Sequence, residues 1–198
     1  LLTISIIPVG TLLFIVMLVV SYIFYIYGIL VHEAEQEWLA DRAYHDELCG
    51  TYNRTKCNER FDELDAGDAE YALINMDLNG LKTINDSLGH VQGDLLLQEF
   101  AAILQDAFSG MGEVFRMGGD EFLVLVRKEQ FPLIDQCLNK MVRLEKRRSS
   151  ELTFNIEAAY GVAKSSECPK ESVQKVYMLA DRRMYDMKTK QKINQRLR

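Results

Sequence analysis

Three carboxylates stand where the chain turns. Asp77 closes an apolar run that begins at Tyr71, and Asp120 and Glu121 directly follow the pair Gly118-Gly119. The run Tyr71 to Met76 reads as a strand. Gly-Gly between Val114–Met117 and Asp120–Val126 reads as a hairpin loop, because both central positions can need a positive φ. If that hairpin lies beside the first strand, the three acids meet at one edge of a sheet. Clustered carboxylates repel one another and persist together when a cation neutralises them. Hard oxygen donors suit Mg²⁺ or Mn²⁺, and Mg²⁺ commonly shares its shell with substrate phosphates. The chemistry indicated is metal-assisted phosphoryl or nucleotidyl transfer. Acids also gather at turns for purely local reasons, so spacing alone leaves open three unrelated surface acids.

Two further groups accompany the acids. Asp94 stands before the helical repeat Leu96, Leu97, Phe100, Ile103, Leu104 and Phe108, a position that also suits a helix N-cap. On the last helix Val173, Val176, Tyr177, Ala180, Met184 and Met187 form an apolar face, while Asp181, Tyr185, Lys188 and Lys192 share another stripe. His90, between Gly89 and Val91, reads as a structural loop residue rather than a base.

The elements that must position these groups follow from periodicity and turn residues. No charged residue occurs from Leu1 to Val31; Thr11 to Val31 predicts a membrane-spanning helix, with Pro8 and Gly10 marking its beginning. Tyr22, Tyr25 and Tyr27 fall toward its C-terminal end, where aromatic rings favour the headgroup zone. Glu33 to Glu47 should continue as a helix that Gly50 ends, and Asn53-Arg54 should open another to about Ala66. Beyond the hairpin come a helix from about Phe131 to Lys146, a strand from Thr153 to Val162 and a helix from Glu171 to about Gln191. The order α-β-α-α-β-β-α-β-α is mixed α/β with an antiparallel hairpin inside the sheet. The expected organisation is a transmembrane helix over residues 1–32, a linker helix over 33–47 and a catalytic domain over 48–198. The net charge of −6 argues against an electrostatic nucleic-acid binder. Cys49, Cys57, Cys137 and Cys168 show no metal-ligand spacing and read as reduced thiols.

The sequence resembles the GGDEF family of diguanylate cyclases, whose signature is Gly118-Gly119-Asp120-Glu121-Phe122. Asp46 to Arg54 is similar to the family's D-x-L-T-G-L-x-N-R, with Cys49 and Thr51 as departures. Asp77 to Asp86 looks like D-x-D-x-F-K-x-x-N-D, and Gly89-His90 and Gly93-Asp94 follow in the family's order. Ala180-Asp181 through Tyr185 and Lys188 is similar to A-D-x-A-L-Y-x-A-K. The resemblance implies an α+β fold like that of nucleotidyl cyclases and polymerase palm domains (ferredoxin-like), and condensation of two GTP into cyclic di-GMP between two subunits. It implies Mg²⁺ on Asp77, Asp120, Glu121 and the carbonyl of Leu78, with Asp120 and Glu121 catalytic. Guanine would be read by Asn85 and Asp94, and phosphate held by Lys82, Lys188 and Lys192 beside Gly118 and Gly119. Lys192 stands where the family carries arginine and Gln191 where it carries glycine. The family's inhibitory R-x-x-D corresponds to Ser109, Gly110, Met111 and Gly112, so product inhibition should be lost. Since GTP is cytosolic, the catalytic domain should face the cytoplasm from the inner membrane. The alternative is a degenerate domain that binds GTP or a partner without turnover.

Overall fold

The computed structural model describes residues 9–196, and the chain divides at Ala43/Tyr44 into two compact units. Helix α1 (Val9–Tyr44) makes up the first. Its stretch Gly10–Glu33 has a mean hydropathy of 2.5 and is unburied, so it is long and apolar enough to cross a membrane. The helix stops at Tyr44 rather than Glu47, and Asp46 supplies the reason. Its carboxylate accepts from the backbone N–H of Leu48 (3.2 Å) and Cys49 (2.9 Å), and Gly50 N–H donates to its carbonyl at 2.8 Å. A side chain that satisfies nearby backbone donors competes with helix continuation.

The second unit is a five-stranded sheet flanked by helices on both faces. Its strands are β1 (Tyr52–Asn53), β2 (Tyr71–Leu78), β3 (Gly112–Gly118), β4 (Glu121–Arg127) and β5 (Ala158–Lys164), in the order β1-β3-β4-β2-β5. Only β1 and β3 run parallel. The helices are α2 (Arg54–Ala66), α3 (Leu81–Leu88), α4 (His90–Ala107), α5 (Ile134–Glu151) and α6 (Val173–Arg196). Because successive strand residues point to opposite faces, β2 feeds two cores. Ala72, Ile74, Met76 and Leu78 join Ile84, Phe100, Leu104 and Met141 from α3, α4 and α5. Tyr71 and Leu73 join Cys57 of α2 and Val176 and Ala180 of α6. This is the mixed α/β architecture anticipated from the sequence.

Several boundaries differ from the sequence reading, each for a local reason. The two-residue β1 is too short to carry a periodic signal. Helix α4 starts at His90, with Gly89 as its cap, so Asp94 lies inside the helix and is not an N-cap. A 3-10 turn, Lys128–Leu133, precedes α5. The strand expected from Thr153 begins only at Ala158: Phe154 and Ile156 are buried as plugs of the core, and their alternation imitates a strand. Helix α6 continues past Gln191 to Arg196.

Candidate active site

The register of β2 and β4 sets Asp77 directly opposite Glu121, and the N–H of Leu78 donates to the carbonyl of Asp120 at 2.9 Å. All three acids therefore stand at one end of the sheet. The hairpin is displaced by one residue from the sequence expectation. Gly118 pairs with Glu121, a bulge falls at Met117, and Gly119-Asp120 are the central loop residues. Gly119 has φ 55° while Asp120 has no left-handed φ, so only the first loop position needs glycine.

Arg116, a residue the sequence reading passed over, holds this turn. Its guanidinium donates to the carbonyl of Gly119 from Nε (3.2 Å) and Nη2 (3.0 Å), and from Nη1 to Asp46 Oδ1 (3.0 Å) and Oδ2 (3.2 Å). Burial alone would raise the Asp46 carboxyl, but the Cys49 N–H and the Arg116 guanidinium outweigh it and hold the carboxyl below its ordinary range. The signal for Arg116 was its place two residues before the glycine pair.

Glu121 moves the other way. Burial is the largest cause that raises its carboxyl, followed by the negative charges of Asp120, Asp77 and Asp181; Arg54 opposes them and is outweighed. Asp181 was also unassigned by sequence, although it shares a helical stripe with Lys188. Here it accepts from Asn75 Nδ2 at 2.9 Å. Lys188 donates to Asp77 Oδ1 at 2.5 Å, so an expected phosphate ligand and an expected metal ligand neutralise each other.

Lys82, Lys188 and Lys192 line one cleft of about 330 Å³ together with Asp120, Leu78 and Gln191. A cleft lined by three lysines, one of them paired with Asp77, suits a polyanion such as a phosphate chain. Asn85 and Asp94 do not line it; they lie on the neighbouring α3–α4 pair. There α4 approaches α3 so closely that a Cβ at Gly93 would stand 1.9 Å from Asn85 Oδ1. Gly118 and Gly119 are exposed and do not line the cleft either.

The acidic edge has the charge that a hard divalent ion needs, since negative neighbours raise Glu121. It is not a closed cage: among the described residues no group of three His, Cys, Asp or Glu side chains could hold a metal by itself. Mg²⁺ held here would need substrate phosphates and water to complete its shell, as is usual for that ion.

The family model for "Diguanylate cyclase, GGDEF domain" matches residues 43–194. Diguanylate cyclase DgcS of Shewanella oneidensis is 28% identical over 163 residues, covering 80% of this chain and 54% of the relative. Probable diguanylate cyclase DgcI of Escherichia coli is 31% identical over 147 residues, covering 74% of this chain and 31% of the relative. The chain thus spans about half or less of the length of these relatives. Among solved structures, the coiled coil and GGDEF domain of DgcB from Caulobacter crescentus, in complex with c-di-GMP, superposes with a TM-score of 0.72. It is 22% identical, and the match covers 87% of this chain and 94% of that one.

Proposed function

The chain belongs to the diguanylate cyclase GGDEF-domain family, and on that premise we propose that it condenses two GTP into cyclic di-GMP, releasing two pyrophosphates. The observation that carries the reading is the cleft that gathers Lys82, Lys188, Lys192 and Asp120 beside the Asp77–Glu121 pair.

In this reading the three lysines bind the triphosphate as mobile point charges. Asp77, Asp120, Glu121 and the Leu78 carbonyl are the groups that would hold Mg²⁺ or Mn²⁺, whose positive charge supports nucleotidyl transfer. Glu121, opposite Asp77 across the sheet, would also take the proton of an attacking 3′-hydroxyl. Asp94 accepts from the guanine N–H groups and Asn85 donates to the base. Adenine, which lacks the 2-amino group, would leave that carboxylate short of a partner. Each copy holds one GTP, and two copies face one another so that each hydroxyl meets the other's α-phosphate. Helix α1 anchors the protein in the inner membrane, with the catalytic unit in the cytoplasm where GTP is.

The Asp77–Lys188 ion pair favours a second reading, a GTP-binding module whose site stays closed. One experiment separates the two. The full chain in lipid nanodiscs, given GTP and Mg²⁺, should form cyclic di-GMP at a rate that rises faster than linearly with protein concentration, and Asp120→Ala should abolish it. GTP binding without product at any concentration would replace the enzyme with the binding module.

A further inference from the structure

Gln191 touches more of the cleft than its place on an exposed helix end suggests. Its Oε1 accepts from Asn79 Nδ2 at 3.0 Å, and its Nε2 donates to the carbonyl of Ala158 at 3.2 Å. Asn79 N–H in turn donates to the carbonyl of Glu157 at 2.9 Å. One side chain of α6 therefore ties together the loop after β2 and the start of β5. That loop leads directly into Lys82, and Gln191 lies three residues after Lys188 and one before Lys192.

Gln191 is also a partition. It lines the lysine cleft on one side, and on the other a groove of about 680 Å³ that contains Glu145, Glu157 and Met187. Its two hydrogen bonds help hold the last turns of α6 to the sheet. Helix ends fray unless side chains or packing hold them.

We propose that Gln191, braced by Asn79, is a positioning residue for the nucleotide's phosphates: it fixes the turn of α6 that carries Lys188 and Lys192 beside the cleft. The proposal rests on GTP being the ligand, and it concerns binding rather than the chemical step.

The test is steady-state kinetics on the full chain in nanodiscs, with equilibrium GTP binding alongside. Gln191→Ala and Asn79→Ala should each raise KM and Kd for GTP about tenfold and change kcat less than about twofold. The double variant should be no worse than the poorer single one, because both remove the same strap. Gln191→Met, which keeps the volume and loses the hydrogen bonds, should behave like Gln191→Ala. Unchanged GTP affinity, additive losses, or a loss confined to kcat would overturn the proposal. A chain that binds GTP without forming product removes the cyclase reading and leaves this one to be judged by Kd. A chain that binds no GTP overturns both.

Discussion

Burial pushes the carboxyl of Glu145 from an ordinary 4.5 up to about 8, and the charge of Glu157 adds to the rise; the backbone N–H of Ala158 and the charge of Lys146 only partly oppose it. Its Oε1 is buried without a hydrogen-bond partner. Between those two values the native state holds a proton that the unfolded chain has released, so stability falls as pH rises through that window. Below pH 4.5 both states are protonated and the penalty is absent. The expected result is a melting temperature that drops from pH 5 to pH 8 in the wild type and stays flatter in Glu145→Gln. Parallel curves for the two proteins would show that Glu145 is not the group responsible.

At the scale of elements, the Gly119-Asp120 turn depends on the segment that follows α1. Arg116 bridges Asp46 and the carbonyl of Gly119, and both charged side chains are partly buried. Hydrogen bonds to charged groups contribute about 1.5–3 kcal/mol each. Arg116→Ala should therefore lower stability by about 2 kcal/mol in thermal or denaturant unfolding and reduce turnover more than tenfold. Arg116→Lys should recover only part of either, having lost the two-pronged donor geometry. This dependence was not legible in the sequence, because a salt bridge between residues 46 and 116 has no local signature. The main strands and helices were legible, since β2 and β4 are short continuous apolar runs and α4 carries a helical apolar period, and their burial reproduces both. The acids at strand ends were legible for the same reason: turns announce themselves through glycine. What escaped was set by tertiary contact. Strand β1 exists through pairing with β3, and the partners of Asn75 and Asn79 lie more than a hundred residues away.

The whole molecule should respond to cyclic di-GMP less than relatives that carry the R-x-x-D motif. Its counterpart here, Ser109 to Gly112, leads into β3, and a Cβ at Gly112 would stand 2.8 Å from the carbonyl of Leu125 and 2.9 Å from Val124 Cγ1. No aspartate fits there without shifting β4. Cyclic di-GMP added at micromolar concentrations should thus leave the initial rate of the full chain within about twofold, since the paired charges that would hold it are absent. Strong inhibition would mean that product binds by another route.

The two-sided burial of β2 has a consequence for how this gene can vary. A strand with one wet face resists slippage because a shift by one residue exposes its apolar side. β2 has no such safeguard, being buried along most of its length on both faces. Its alignment is marked chiefly by two polar positions, Asn75 held to Asp181 and Asp77 held to Lys188. Most single substitutions in the strand leave those markers in place. Loss or gain of one codon between Tyr71 and Asn75 would keep a hydrophobic strand yet turn the acid to the opposite layer. Descent in this segment should therefore tolerate exchange of side chains far better than change of length.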